Sequence, residues 1–525
     1  MKLIVDNIIL RPDEDESSLE GTLARALGLT PPPDWSIVRK SLDSRNKRGI
    51  HYRYRLMVNV PDELGRNLLG KDGISLFTEP APAAVKAVRA PASVAVIGTG
   101  PAGLFCALRL AGAGVSVTLF ERGAPVEKRM RDIDGLEKGG VLDCESNVLF
   151  GEGGAGTYSD GKLTTRTSRP ESRWFFTRMV EMGAPPSILY EAKPHIGTDR
   201  LALVVKNIRQ YLESRGSSFR FAARVDGLII RDGRVLGLTS CGDEFVSDRV
   251  VLATGHSARD TYAVLEKSGV ALARKAFAMG ARIEHPREII DDIQYGRPPF
   301  RRALPAAEYL LACKDPDSGR GVYSFCMCPG GRVINSSSEQ GRLCTNGMSF
   351  SARDLAWSNA AVVVTVTPED FGGAGPLAGI ELQRRIEEGA FRCGGGMFRA
   401  PAQRVTSFLT RTPDASLPGS TFRPGVRACL ADDYLPDWIT GPLRFALKNF
   451  DRKMKGFITE HALLIGAETR TSSPVRVLRG DDFQSVSHRG LYPAGEGSGY
   501  AGGIVSSAVD GIRAADAIID DLNCR

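Results

Sequence analysis

Residues 94–103 read Val-Ala-Val-Ile-Gly-Thr-Gly-Pro-Ala-Gly, an apolar run followed at once by glycines in the spacing Gly-x-Gly-x-x-Gly. The pattern predicts a strand over 94–97 and a helix over 101–112, and the apolar run 115–120 predicts a second strand. A strand, a helix and a second strand in this order form a βαβ unit. Such a unit implies a parallel, doubly wound α/β sheet.

The glycines of this motif have separate physical roles. Gly98 permits the tight turn, Gly100 lets a pyrophosphate approach the main chain, and Gly103 lets the helix pack on the strand. The helix N-terminus offers free N–H groups to phosphates. Glu121 follows the second strand, where a carboxylate accepts hydrogen bonds from a ribose and repels a 2′-phosphate. The motif therefore predicts a dinucleotide with a free ribose, and a purely structural glycine turn is the alternative.

A second glycine-rich segment lies near the C-terminus. Residues 490–504 read Gly-Leu-Tyr-Pro-Ala-Gly-Glu-Gly-Ser-Gly-Tyr-Ala-Gly-Gly-Ile, and a helix is predicted over 505–519. A second helix N-terminus beside the dinucleotide favours FAD, because its dipole stabilises the negative edge of a reduced flavin. Glu496 is then expected to bind a ribityl or phosphate-side hydroxyl. An exposed loop acid is the other interpretation of Glu496.

Further strings resemble those of one protein family. They are Phe150–Leu163, His195–Asp199, Ser324–Gly331 and the basic Arg39–Arg45. Together with the two glycine segments, they resemble a bacterial group of FAD-dependent dehydrogenases in the glutathione-reductase-like flavoprotein superfamily, whose substrates are mostly unassigned. The resemblance implies non-covalent FAD, a small-molecule substrate and a separate electron donor or acceptor. No second Gly-x-Gly-x-x-Gly follows a strand, so NAD(P)H is expected only as a transient donor.

The resemblance also implies roles for individual residues. Glu121 and Arg122 would hold the adenosine ribose, and Arg129 would lie near the pyrophosphate. The backbone of Val225 would meet the adenine. The residues assigned to the cofactor are Gly98, Gly100, Pro101, Ala102, Gly103, Glu121, Arg122, Arg129, Gly153, Gly154, Ala155, Val225, Thr254, Gly255, Gly495, Glu496, Gly502, Gly503 and Ile504.

Four side chains are candidates for catalysis. Cys326 and Cys328 are one residue apart, so a disulfide between them would be strained and reducible, although two packed thiols in a turn is the favoured interpretation. His256 follows Gly255 and is either an acid or base or a turn cap. Lys162 would favour a reduced, anionic flavin, while an ordinary surface loop is the alternative for the loop that holds it.

The chain divides into several predicted parts. Residues 1–80 form a small α/β domain of ferredoxin-like type, and 81–92 form a linker rich in Pro and Ala. Residues 93–258 and 488–525 form a Rossmann-type FAD-binding domain. An α+β substrate or cap domain, 259–487, is inserted between them. In the first domain, a helix is expected over 18–27, capped by Ser17 or Ser18, and a half-buried strand over 51–58.

Composition excludes several classes of protein. Of 525 residues, 42% are apolar and 10 are cysteine, so disorder, a membrane bundle and a disulfide scaffold do not fit. The six histidines are scattered, and no metal site is expected. Because the N-terminus does not resemble a signal peptide and no apolar run is long enough to cross a membrane, we expect a cytoplasmic protein.

The leading hypothesis is an FAD-dependent oxidoreductase, a dehydrogenase or reductase that passes a hydride between a small organic substrate and the flavin. One alternative is a flavin monooxygenase that hydroxylates an aromatic substrate. A second is an RNA-associated flavoprotein, because residues 39–55 hold seven Lys or Arg against one Asp. Such a run is usually a solvated face. With a net charge of only +7, nucleic acid is not favoured as a partner.

Overall fold

The computed structural model describes residues 1–79, 84–164 and 169–524. Residues 81–83 of the predicted linker lie outside the described residues.

The N-terminal unit has the order strand, helix, two strands, helix, strand. Its elements are β1 (Lys2–Leu10), α1 (Ser18–Leu27), β2 (Trp35–Asp43), β3 (His51–Asn59), α2 (Asp62–Leu68) and β4 (Ile74–Leu76). The strands lie in the order β2-β3-β1-β4, and all neighbours are antiparallel. This arrangement confirms the ferredoxin-like fold.

Local sequence explains these elements. Tyr54, Leu56 and Val58 alternate along β3 and are buried, so one face of the sheet packs on the helices. Leu19 is likewise buried on α1. Ser17 occupies the N-cap of α1, but its side chain makes no capping bond because its backbone is already helical. The expected capping interaction at Ser17 is therefore absent.

The basic run of this unit is largely neutralised within the chain. Four of its seven cations form ion pairs with nearby carboxylates: Lys40 with Glu16, Arg45 and Arg53 with Asp43, and Arg55 with Asp6. In addition, β2 is attached to the next unit, because the backbone N–H of Lys40 donates to Tyr190 O and its carbonyl accepts from Ala192 N, each at 2.8 Å. This surface is thus a salt-bridged face rather than an open array of positive charge.

The second unit contains the glycine motif. Its elements are β5 (Ser93–Ile97), α3 (Pro101–Gly112), β6 (Ser116–Phe120), α4 (Val126–Gly139), α5 (Pro170–Glu181), α6 (Thr198–Ser214), β7 (Ser218–Arg220), β8 (Val225–Arg231), β9 (Arg234–Ser240), β10 (Asp243–Val246), β11 (Arg249–Leu252) and α7 (Arg259–Lys267). The C-terminal segment returns to this unit as β23 (Leu491–Pro493) and α12 (Ile504–Asn523).

Five parallel strands form the central sheet, in the order β23-β11-β5-β6-β7. One face is covered by α3, α5, α6 and α12, and the other by α7 and the antiparallel sheet β10-β9-β8. Apolar strands such as Val94–Ile97 are therefore buried on both faces, as parallel strands require. The predicted doubly wound α/β fold is confirmed, and the C-terminal strand β23 lies in the same sheet as β5.

The inserted unit is built on a second sheet. Its elements are β12 (Leu272–Arg274), β13 (Phe277–Pro286), α8 (Arg287–Tyr295), β14 (Ala312–Lys314), β15 (Gly321–Cys328), β16 (Arg332–Asn335), β17 (Thr345–Met348), β18 (Trp357–Val366), α9 (Ala378–Cys393), β19 (Ala400–Arg404), α10 (Val405–Thr410), β20 (Val426–Ala428), α11 (Asp437–Lys453), β21 (Leu463–Glu468) and β22 (Val475–Val477). Seven strands form a mixed sheet in the order β14-β15-β18-β13-β21-β19-β20.

The division at residues 258 and 487 stays a proposal. Tyr262 and Leu265 of α7, together with Val475 and Val477 of β22, share a hydrophobic cluster with Ile97 of β5. Packing therefore places these short segments with the FAD-binding unit, although they lie within 259–487. No helix among the described residues is long and apolar enough to cross a membrane.

Candidate functional site

A cavity of about 420 Å³ opens at the carboxyl ends of the parallel strands. Gly98 follows β5, Glu121 follows β6, Thr254 lies just beyond β11, and Glu496 lies just beyond β23. All four line the cavity. From β5 the chain passes to β6 on one side, and after β7 it crosses to β11 on the other side of β5. Such a switch point is where doubly wound folds bind ligands. The topology therefore explains the position of the cavity.

Most residues assigned to the cofactor line this cavity. They are Gly98, Gly100, Pro101, Ala102, Glu121, Arg122, Gly154, Ala155, Val225, Thr254, Gly255, Glu496, Gly502, Gly503 and Ile504. Gly103, Arg129, Gly153 and Gly495 are not in its lining. Of the four catalytic candidates, Lys162, His256 and Cys326 line it, and Cys328 lies behind them. The structure thus brings residues from distant parts of the chain to one place.

Glu121 organises the turn around the cavity. One carboxylate oxygen accepts from the backbone N–H of Thr99 at 3.0 Å and from the Thr99 hydroxyl at 2.7 Å. The other accepts from the backbone N–H groups of Gly123 and Gly151, each at 3.0 Å. A carboxylate offers about four lone-pair positions, and all are used here. A ribose hydroxyl would therefore have to replace the Thr99 hydroxyl.

Arg129 supports the loop beside the cavity. Its side chain is fully buried, and it donates hydrogen bonds to the carbonyls of Asn147, Val148, Glu152 and Gly154 at 2.7–2.9 Å. The guanidinium therefore holds the loop from behind instead of facing the cavity. The position of Arg129 near the pyrophosphate stays a prediction. The loop is also no ordinary surface loop, because Glu152 and Asp160 are buried.

Glu496 is a half-buried acid that lines the cavity. Burial raises the pKa of Glu496 to about 7, against the opposing effect of Lys275. Among the described residues, none donates a hydrogen bond to its carboxylate. Because a desolvated carboxylate without a donor is costly, the geometry suits a ligand that brings its own hydroxyl donor.

Replacing Glu496 should therefore weaken FAD binding. We expect Glu496→Ala to raise the FAD dissociation constant by about 10–100-fold, since a hydrogen bond to a charged group contributes about 1.5–3 kcal/mol. Hydroxyl donors favour the ionised form, so affinity for the wild type should rise as pH increases through 7. Quenching of FAD fluorescence measures both effects. Glu460→Ala, at an exposed acid, is the control, and equal affinities for both variants would contradict this role.

His256 is neutral at physiological pH. Burial and the nearby cations Arg470 and Arg259 lower the pKa of His256 to about 3. Its Nδ1 lies 3.2 Å from the Ser257 hydroxyl. A neutral imidazole cannot deliver a proton as an imidazolium at pH 7, so the structure favours a hydrogen-bonding role over the acid role considered from the sequence.

The His256 environment makes stability sensitive to acid. In the unfolded chain its pKa is near 6.5, so between about pH 6.5 and 3 the unfolded state binds the additional proton, and stability falls as pH falls. We expect His256→Gln to lose less stability than the wild type between pH 7 and pH 4. Urea unfolding midpoints at several pH values test this, with His461→Gln at an exposed histidine as the control. Parallel pH curves for the wild type and His256→Gln would exclude the effect.

Other residues of the cavity lining were not found from the sequence. Phe325 and Asn346 come from β15 and β17, and Arg470 and Thr471 follow β21. Tyr323 and Tyr500, which like Asn346 are polar residues in glycine-rich surroundings, are not in the lining. Nothing in the local pattern near Arg470 indicates a site, because its place depends on the inserted unit packing against the FAD-binding unit.

The residues present fit a flavin dinucleotide. The N-terminal residues of α3 and of α12 both line the cavity, so two sets of helix N–H groups meet there. Arg122, Arg224 and Lys162 add positive charge to the lining. A Cβ on Gly255 or Gly502 would meet no other heavy atom within 4 Å, so open space lies beside these backbones. An elongated anion with hydroxyl groups matches this donor set. Among the described residues, no group of three or more His, Cys, Asp or Glu side chains could hold a metal ion.

Comparison with solved structures gives FAD proteins at low similarity. The glycerol-3-phosphate dehydrogenase from Bacillus halodurans, complexed with FAD, is 11% identical, covering 83% of this chain and 66% of that chain at a TM-score of 0.36. The 3-ketosteroid-delta4-(5alpha)-dehydrogenase from Rhodococcus jostii is 13% identical, covering 85% and 100% of the respective chains at a TM-score of 0.35.

Comparison of sequences gives stronger relationships. An "Uncharacterized protein" of Clostridium beijerinckii is 41% identical over 100% of this chain and 99% of its own length. Residues 276–471 match the family described as FAD-dependent protein, C-terminal domain-like, and 96–155 match the NAD(P)-binding Rossmann-like domain. Residues 1–59 match a domain of unknown function. The chain belongs to a family of FAD-dependent oxidoreductases, whose cofactor is FAD.

Proposed function

We propose that this protein is a dehydrogenase or reductase that passes a hydride between a small organic substrate and FAD. The observation that carries the proposal is the two-sided lining of one cavity. Glycine turns and helix N-termini form one side, while Phe325, Cys326 and Asn346 of the inserted unit form the other. A substrate bound on the second side would lie against the cofactor bound on the first.

When bound, FAD supplies the hydride chemistry of its isoalloxazine ring. The chain supplies position and charge. Lys162 lines the cavity, and its ammonium group donates to the carbonyl oxygen of Met327, which fixes a positive charge beside Cys326. Arg470 adds a second charge to the lining and is itself held by Glu387 at 2.9 Å. These cations favour a substrate with a carboxylate or another anionic group.

The test is anaerobic reduction of the FAD-loaded protein by a panel of small organic acids, alcohols and amines. We expect one chemical class of compound to bleach the flavin absorbance. Lys162→Met should weaken binding of that substrate without removing FAD. Glu191→Gln, outside the cavity lining, is a control. Reduction by NAD(P)H alone would identify a reductase. Oxygen-dependent hydroxylation of an aromatic compound, without anaerobic bleaching, would replace this proposal with the monooxygenase.

A further inference from the structure

Cys326 and Cys328 lie at an irregular point of strand β15. The pairing of β15 with β18 shifts register between Phe325 and Cys328, so the ladder is interrupted at the first cysteine. Cys326 has a φ of 43°, in the left-handed region that side chains other than glycine rarely adopt. Such strain typically costs about 1–3 kcal/mol and is concentrated at functional sites. The bulge places Cys326 in the cavity lining and leaves Cys328 fully buried behind it.

A buried arginine connects the two cysteines. Arg282 of β13 is fully buried, and it donates to the carbonyl oxygen of Cys326 at 2.6 Å and to the sulfur of Cys328 at 3.4 Å. The Cys328 thiol in turn donates to the Cys326 carbonyl at 3.4 Å. Lys162 approaches the same turn from the opposite loop by donating to Met327 O. Two cations therefore hold the backbone turn that carries both cysteines, and Cys326 of this turn lines the cavity.

The two thiols consequently differ in acidity. A side-chain hydrogen bond from Cys328 to the Cys326 sulfur, together with the charges of Arg282 and Lys162, lowers the pKa of Cys326 below the ordinary cysteine value despite its burial. The same hydrogen bond and burial raise the pKa of Cys328 well above it. Negative groups also face this pair: Asp160 raises the pKa of Cys326, and Cys326 in turn helps to raise the pKa values of Glu468 and Glu496. The balance makes Cys326, in the cavity lining, the more acidic of the two thiols.

We propose that Cys326 and Cys328 are a redox-active dithiol that reduces a small organic disulfide bound in the cavity. The Cys326 thiolate attacks one sulfur of the disulfide RSSR, forming a mixed disulfide with Cys326 and releasing the first RS⁻. Cys328 then loses its proton and attacks the Cys326 sulfur, which releases the second RS⁻. Two protons convert the two RS⁻ to two RSH. In total, two electrons pass from the cysteine sulfurs to RSSR, and one disulfide links Cys326 to Cys328. This activity goes beyond the hydride transfer proposed above and does not depend on it.

The arrangement is specific to a nucleophile with a resolving partner. The attacking thiol needs thiolate character and access, whereas the second thiol has to stay protonated until the mixed disulfide forms. Two thiols that only fill space would need neither the strained backbone at Cys326 nor a buried guanidinium between them. The structure therefore favours the redox role over the packed thiols expected from the sequence.

The test uses the FAD-loaded protein and oxidised glutathione as the probe. After blocking with N-ethylmaleimide, mass spectrometry of peptides should show a Cys326–Cys328 disulfide in the wild type. Cys328→Ser should stop at a glutathione adduct on Cys326, and Cys326→Ser should leave Cys328 unmodified. Cys241→Ser removes an exposed thiol of a distant hairpin and should leave the outcome at Cys326 unchanged.

A pH profile distinguishes reactivity from packing. In the wild type, Cys326 should be alkylated faster than Cys241 at neutral pH. Its alkylation rate should also depend less on pH than that of Cys241. Lys162→Met should slow alkylation of Cys326 by about tenfold at pH 7 if it raises that pKa by about one unit. If Cys328→Ser does not fold, Cys328→Ala serves instead. The same pH profile for Cys326 and Cys241, with no internal disulfide in the wild type, overturns the proposal.

Discussion

Gly98→Ala should abolish FAD binding and strongly destabilise the FAD-binding unit. An added Cβ would lie 2.4 Å from the carbonyl oxygen of Ala253, a backbone atom of the neighbouring strand end that has no room to move. The backbone of Gly98 has a φ of 101°, which a side chain makes unfavourable. Clash and strain together should cost several kcal/mol. We expect expressed protein without flavin colour, or protein that is largely insoluble.

A second glycine of the motif, Gly103, tests the same close packing at a position where the backbone dihedral φ is not strained. In Gly103→Ala the Cβ would lie 2.0 Å from the carbonyl oxygen of Gly98, although Gly103 is an ordinary helical residue. The matched control is Gly135→Ala in α4, where the glycine is exposed and nothing lies within 4 Å of the added Cβ. That variant should gain about 0.5–1 kcal/mol of stability, because alanine favours a helix interior over glycine. Visible absorbance and urea unfolding measure the effects. Normal flavin content in Gly98→Ala would contradict the close packing described here.

The parts of the fold that local patterns specify were predicted correctly. Strand 94–97 and helix 101–112 follow from an apolar run, a glycine turn and a proline at the first helical position. Strand 51–58 follows from alternation of apolar and basic residues. The return of the C-terminus to the first sheet follows from the second glycine segment. In each case the residues that determine the element are adjacent in sequence.

Other features depend on contacts between distant residues. The prediction for Arg129 came from resemblance, yet its partners are carbonyls of the loop 147–154, which no spacing relates to it. Arg282 has a signal that could have been used, because it is a charged residue in the middle of the apolar run 277–283. A buried arginine of this kind requires a partner, but the sequence does not say that the partners are Glu468 and the cysteine turn. The site between the two units therefore became visible only in three dimensions.

The second large effect is expected at Glu387, which joins the two units. Glu387 lies on α9 of the inserted unit and is fully buried. Its carboxylate accepts from Arg259, the first residue of α7, at 2.7 and 2.9 Å and from Arg470 at 2.9 Å. The Thr469 hydroxyl donates a further bond at 2.6 Å. Glu387, together with the half-buried Glu339 that also pairs with Arg259 and Arg470, thus compensates two buried guanidinium groups. Arg470 lines the cavity.

Glu387→Gln should consequently destabilise the protein by about 3–5 kcal/mol, because it leaves two buried guanidinium groups with only the half-buried Glu339 as counter-charge. The two guanidinium groups hold the pKa of Glu387 well below its usual range despite burial. Its contribution is therefore complete above the unfolded pKa near 4.3 and is lost as pH falls below that value. The difference in stability between wild type and variant should be large at pH 7 and shrink progressively below pH 4.

The neighbouring Glu388→Gln is the matched control. Its carboxylate is 46% exposed and pairs with Arg342, so a change in stability of about 0–1 kcal/mol is expected. Urea unfolding of the FAD-loaded chain at pH 7 and at a pH below 4 measures these stability changes. Equal unfolding midpoints for the two variants would show that the buried network does not hold the units together.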